Sequence, residues 1–228
     1  MRRYYRRMLA FGLPVIALSL TAAAGWQGAT SWRPSDTNYR FQGIDVGAEQ
    51  GPIEWFTLRD QHVDFVYLIA TRAATQRDPA FEAGWRGVYG AALRRGAIHV
   101  YSLCHLASDQ GNNFNTTVPR TADALPPAIL LDFQPDCAAR PAREVVLGEL
   151  EVLIAMIEGH SGKPVLLKTS AAFDRYYGVS EAIGRPIWSI GNFFPPSYAA
   201  RPWRMWQASD MRRIEGAAQP VRWNVVAP

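Results

Sequence analysis

Phe65-Val66-Tyr67-Leu68-Ile69-Ala70-Thr71, then Pro79–Arg95, then Ala97–Leu103: an apolar run, an amphipathic stretch and a second apolar run follow one another with short polar joints. A seven-residue apolar run rich in β-branched and aromatic residues reads as a strand, and the stretch after it has helical spacing. Strand, helix, strand in alternation implies parallel strands joined by right-handed crossovers. Working outward, further strand-like runs fall at Phe41–Val46, Ala128–Phe133, Pro164–Thr169, Pro186–Ile190, Trp203–Gln207 and Val221–Val226. Helical patterns fall at Ile53–Gln61, Ala142–Gly159, with Gly159 as its stop, and more weakly Ala171–Tyr177. Eight strands with helices thinning after the fifth predict an α/β chain: one (β/α)8-like, TIM-type barrel with incomplete outer helices. No GxGxxG or GxxxxGK[ST] opens a helix, which argues against nucleotide binding.

The formal charge of +4 is concentrated at the start. Four of the 24 basic residues, Arg2, Arg3, Arg6 and Arg7, lie in the first seven positions, and the other twenty balance the twenty acidic ones. A neutral body argues against a nucleic-acid binder, whose affinity rests on neutralising phosphates. Residues 8–24 carry no charge and end in Ala22-Ala23-Ala24. Basic start, apolar middle and small residues read as a secretory signal over 1–24, cleaved after Ala24. The alternative is an uncleaved membrane anchor over 8–24. Residues 25–40 read as a polar, turn-rich leader, and 41–228 as one domain. An exported protein, periplasmic or secreted, is therefore expected, touching a membrane only through an uncleaved segment. The two cysteines, Cys104 and Cys137, are either a disulfide or two buried thiols.

In a parallel barrel, function sits at the C-terminal ends of the strands. Two strand runs end in carboxylates there, Asp45 and Asp132, and a carboxylate on an apolar strand is costly to bury without a partner or a task. Gln134 lies two residues beyond Asp132 and so shares its face if the strand continues. The structural alternative is an Asp that caps the next loop. Tyr67, Tyr101, Trp188, Trp206 and Phe193–Phe194 lie at or past strand ends, where rings can stack on sugars or simply fill the core. Trp223 has no assigned role. His99, on an apolar strand, reads better as a satisfied core histidine than as a catalyst, and His62, His105 and His160 lack metal-ligand spacing. No metal and no cofactor is expected.

These residues resemble glycoside hydrolase family 25, the Chalaropsis-type lysozymes. Gly43-Ile44-Asp45-Val46 with Gln50-Gly51-x-Ile53-Glu54-Trp55 is similar to the family's opening motif. In the family's order follow Phe65–Thr71, Asp78-x-x-Phe81, Gly96–Val100, Leu125–Asp132, Lys163-Pro164-Val165, Trp188, Trp206-Gln207 and Val221-x-x-Asn224. The resemblance covers residues 41–226. It implies the barrel, cleavage of the β-1,4 bond after N-acetylmuramic acid, peptidoglycan or a related glycan as partner, and no metal; a monomer is expected.

The departures are chemical. Of the family's four mouth carboxylates, two correspond to Asp45 and Asp132; the presumed general acid falls on Gln134 and the fourth on Arg222. Asn224 keeps the family's closing residue as a substrate-side candidate. Arg72 replaces a Glu, and Gly47-Ala48-Glu49 replaces a Ser-His-His. An amide has no proton to donate, and loss of a general acid forfeits ~10²- to 10⁴-fold in rate. Asp136 and Glu49 are the nearest substitutes. Two expectations stand: a muramidase of weak activity, or a catalytically inactive barrel that binds peptidoglycan or another cell-envelope partner.

Overall fold

The computed structural model describes residues 18–228; the expected basic start and most of the apolar run lie outside the described residues. Helix α1 (residues 18–31) leads into β1 (Gln42–Val46), α2 (Trp55–Asp60), β2 (Phe65–Arg72), the two-residue β3 (Gln76–Arg77), α3 (Phe81–Gly90), β4 (Arg94–Val100) and α4 (Ala107–Thr117). Then come β5 (Ala128–Leu131), α5 (Arg143–Ser161), β6 (Leu166–Thr169), α6 (Ala171–Tyr177), α7 (Val179–Ala182), β7 (Ile187–Ile190), β8 (Trp203–Arg212) and β9 (Val221–Val226). No helix among the described residues is long and apolar enough to cross a membrane.

Eight strands close into a barrel in the order β1-β9-β8-β7-β6-β5-β4-β2, with β2 bonded back to β1. From β1 through β8 the neighbours run parallel, but β9 is antiparallel to both β8 and β1. The joint at 213–220 is too short for a crossover, which takes a dozen or more residues. The outer helices are incomplete, because none separates β7 from β8 or β8 from β9.

Alternation along the strands divides the interior. Phe65, Tyr67 and Ile69 of β2 join Ile98, Val100, Ala128, Leu166, Trp188 and Met205 in one cluster inside the barrel. Val66, Leu68 and Ala70 face the other way and pack with helix residues such as Phe81, Val88, Leu150 and Leu153. Period two sends successive side chains to opposite faces, so every strand serves both cores. Trp223, unassigned from sequence, is fully buried in the outer core, and its indole N–H donates to Gln42.

Several bounds differ from expectation. The Pro79–Arg95 helix is only Phe81–Gly90, because Ala92 turns the chain at φ +58° and β4 already starts at Arg94. Helix α5 passes through Gly159 and stops at Gly162, whose φ of +69° is a left-handed cap. Helix α4 was not expected, since its sequence ASDQGNNFNTT is polar and holds a glycine. The leader is no loose joint either. Trp32 packs on Phe193 and Trp206, Tyr39 on Trp203 and Trp206, and the Arg213 N–H donates to the Thr30 carbonyl. The leader thus covers the β8–β9 face that no helix covers.

Candidate functional site

The C-terminal ends of the parallel strands form the mouth. Asp45 sits on β1 opposite Tyr67 of β2 and Arg222 of β9, so all three point inward. Its side chain is 1% exposed, yet three donors satisfy it. Lys168 Nζ reaches Oδ1 at 2.5 Å, Asn224 Nδ2 reaches the same oxygen at 2.9 Å, and Arg222 Nε reaches Oδ2 at 2.5 Å. Trp188 donates its indole N–H to Asn224 at 3.0 Å and lies 4.3 Å beneath the Lys168 ammonium. Lys168 belongs to β6, four strands from β1 in either direction round the closed sheet. Its bond to Asp45 therefore spans the barrel.

Burial alone pushes the Asp45 carboxyl up. The charges and hydrogen bonds of Lys168 and Arg222 outweigh that, and the group is held below its ordinary value. Burial pulls Lys168 down to about 8 against the raising pull of Asp45, with Arg222 adding to the lowering. Arg222 is raised: its burial opposes the charge, and Asp45 and Glu49 prevail. Asp45 is thus an anion with both oxygens occupied. Lys168 was not among the residues singled out from sequence. The signal was there: a charge two residues after Leu166 on an apolar strand shares its inward face.

Arg222 continues outward, its Nη1 3.0 Å from Glu49, which also lies 3.8 Å from Arg72. Glu49, a candidate substitute acid, is therefore at the mouth but paired with two guanidinium groups. Asp132 is half-buried just past β5, where its Oδ1 accepts the Phe133 N–H at 2.9 Å and the Ser170 hydroxyl at 2.7 Å. Ser170 in turn caps α6 by accepting the Phe173 N–H. Asp132 Oδ2 has no hydrogen-bond partner among the described residues. The strand ends at Leu131, so the alternation expected to carry Asp132 and Gln134 on one face does not apply. Gln134 instead folds back, its amide donating to the Asp132 carbonyl at 3.2 Å. Pro135 and Asp136 are exposed beyond it. Cys104, past β4, and Cys137, past β5, are joined in a disulfide that ties this loop to its neighbour.

The aromatic candidates lie deeper than a sugar-stacking role requires. Tyr67, Trp188 and Asn224 are buried inside the barrel, and Tyr67 donates its hydroxyl to the Pro126 carbonyl away from the mouth. Tyr101 and Trp206 are buried in the outer core, Trp206 donating to the Gly191 carbonyl. None presents a free ring face, because each ring fills space between strands or under the leader. An exposed aromatic at this end is Phe194, 79% accessible in the loop after β7. It follows Phe193, whose φ of +68° is uncommon for a bulky residue and is pinned by its N–H bond to Ala208. His99 is a satisfied core residue: Thr71 Oγ1 and Gln110 Oε1 hold its two ring nitrogens at 2.8 and 3.1 Å. Burial lowers it to about 4, against the raising bond from Gln110, so it is neutral. Among the described residues no group of three His, Cys, Asp or Glu is placed to hold a metal ion.

The sequence pattern of glycosyl hydrolases family 25 matches residues 44–217. A family 25 glycosyl hydrolase from Bacillus anthracis superposes with a TM-score of 0.78 at 30% identity, covering 85% of this chain and 91% of that one. A lysozyme from Streptomyces coelicolor has the same fold, with a TM-score of 0.74 at 24% identity over 82% of this chain and 91% of its own. The protein YegX of Escherichia coli is 27% identical over 195 residues, 82% of this chain and 70% of YegX.

Proposed function

The chain belongs to glycosyl hydrolases family 25, and from that premise we propose that it is an exported, lysozyme-like barrel that recognises peptidoglycan at its mouth and turns over the β-1,4 bond after N-acetylmuramic acid slowly or not at all. The observation that carries this reading is the occupied carboxylate of Asp45, held by Lys168, Arg222 and Asn224.

Glycoside hydrolysis needs an acid to protonate the leaving oxygen and a second carboxylate to stabilise or attack the anomeric carbon. Asp45 is ionised and has no proton to give. The Gln134 amide does not titrate, and Arg222 keeps its charge. A nucleophilic Asp45 would first have to leave three donors inside a dry barrel. Asp132 differs: with Oδ2 open and the side chain half-buried, it can accept a hydrogen bond from a sugar hydroxyl or N-acetyl amide. Recognition is therefore better supported than turnover. The basic start and the apolar run before Ala24 support export.

The test is mass analysis of muropeptides after incubation of purified peptidoglycan with the chain, beside sedimentation with the insoluble polymer. The expected result is co-sedimentation with little or no release of reducing ends, and partial recovery of release in Gln134→Glu with Arg222→Asp. Robust release by the unmodified chain, unchanged in Asp132→Asn, overturns the assignment of the site; absence of co-sedimentation at low salt overturns the binding.

A further inference from the structure

The opposite end of the barrel holds a cavity that the hydrolase reading does not use. It measures about 410 Å³ and is lined by Phe41, Phe65, Tyr67, Leu166, Met205 and Val226, with Asp64, Arg94 and Arg204 at its edge. Phe65, Tyr67, Leu166 and Met205 come from the first halves of their parallel strands, Phe41 precedes β1 and Val226 ends the antiparallel β9, so the cavity opens at the end remote from Asp45. Volumes of roughly 300–1,000 Å³, mostly apolar with a few polar groups, are those of small-molecule sites.

The space is built by glycine. A Cβ on Gly43 would stand 2.2 Å from the Phe65 carbonyl oxygen and 2.5 Å from its ring, and one on Gly96 would stand 2.3 Å from the Tyr67 ring. Both rings therefore lie flat against neighbouring strands, where a larger residue would push them into the middle. They meet edge to face at 6.1 Å, and Tyr67 rests on Trp188 at 4.9 Å, which closes the floor. The Tyr67 hydroxyl is already used on Pro126. What remains is an apolar cup with an aromatic wall.

The edge is charged and asymmetric. Asp64 accepts the Gln42 backbone N–H at 2.8 Å, so one of its oxygens is engaged. Neither Arg94 nor Arg204 has a side-chain hydrogen bond or ion pair among the described residues. Two free guanidinium groups beside one partly used carboxylate leave the rim positive. Guanidinium groups bind carboxylates in bidentate fashion, with geometric selectivity that ammonium groups lack.

We propose that this end of the barrel is a binding site for a small amphipathic organic anion, its aryl or alkyl body in the cup and its carboxylate on a guanidinium group of the rim, Arg94 or Arg204. This site is independent of the mouth, since Trp188 and the Asp45–Lys168 pair lie between the two. A charged head at the rim and an apolar tail inside keep each part in its favoured medium.

The test is calorimetric titration of the chain, as purified from its producing cell, with three matched probes: 4-phenylbutyrate, 4-phenylbutanol and 4-phenylbutylammonium. The anion is expected to bind at least tenfold more tightly than the alcohol, and the cation more weakly than either. Arg94→Gln with Arg204→Gln is expected to remove the advantage of the anion and leave the alcohol unchanged. Because Leu166→Trp, designed to fill the cup, can fail to fold, the unmodified chain carries the second measurement. Its Met205 methyl resonance, identified through Met205→Leu, is expected to shift with 4-phenylbutyrate. No binding of the anion up to millimolar concentration, equal binding of anion and cation, or an unmoved Met205 methyl overturns the proposal. Each of these readouts is separate from peptidoglycan binding and release, so failure here leaves the reading of the mouth untouched.

Discussion

Lys168→Met removes the ammonium that crosses the barrel and keeps most of its volume. The lost attraction is large: two unit charges 2.5 Å apart interact by about 7 kcal/mol at an effective dielectric of ~20. Against that, the variant no longer desolvates an ammonium, a relief of several kcal/mol. Asp45 also keeps Arg222 and Asn224. The difference lies near the lower edge of the 3–5 kcal/mol typical of breaking a buried pair, so about 3 kcal/mol is expected. For a domain of this size that is roughly 6–12 °C in melting temperature. The assay is urea unfolding at pH 7 with the disulfide intact, on the parent, Lys168→Met, Asp45→Asn and the double variant. The double variant is expected to be more stable than the sum of the single losses allows, with a coupling of at least ~1.5 kcal/mol, because it leaves neither charge unpaired. A Lys168→Met variant within 0.5 kcal/mol of the parent at unchanged m, or strictly additive losses, refutes the cross-barrel pair as described.

Burial of His99 gives a pH dependence. Its folded value of about 4 lies below the ordinary 6.5, so its contribution is complete above pH 6.5 and is lost as the pH falls toward 4. The total is about 3 kcal/mol, and His99→Gln is expected to flatten that part of the stability profile in acid unfolding curves. Reducing the Cys104–Cys137 disulfide opens a loop with a sequence separation of 33. A loss of about 3–4 kcal/mol is expected, measured as a lower urea midpoint under reductant, with faster amide exchange around Gln134. Gly96→Ala places a methyl group against the Tyr67 ring and is expected to cost ~1–3 kcal/mol by thermal unfolding; an unchanged melting temperature contradicts the close approach.

The barrel was legible because its signal is periodic and repeated: each β-branched run between helical patterns states the same parallel crossover. The antiparallel β9 was less legible, since Val221–Val226 reads like any other strand and only the shortness of 213–220 betrays its direction. Helix α4 stayed hidden because tertiary contacts override its weak propensity: Phe114 fills the outer core, and Gln110 bonds His99, Ser102 and His105. At the site, the positions of Asp45, Asp132, Gln134 and Arg222 could be read along the chain. What holds Asp45 could not, because Lys168 is 123 residues away and meets it only by closure of the barrel. The aromatic candidates show the converse limit. Proximity to a strand end does not tell an inward ring from an outward one when both faces of the sheet are buried.

The cross-barrel pair also ties the chemistry of the mouth to the stability of the fold. An acid placed at position 134 alone leaves the Asp45 carboxylate engaged by Lys168 and Arg222. Removing Lys168 or Arg222 leaves an anion short of partners in the barrel centre, so each single substitution gives a less stable sequence. Marginal stability leaves little room for such steps. Freeing the carboxylate at the barrel mouth therefore requires coordinated substitutions on strands that lie far apart in the sequence.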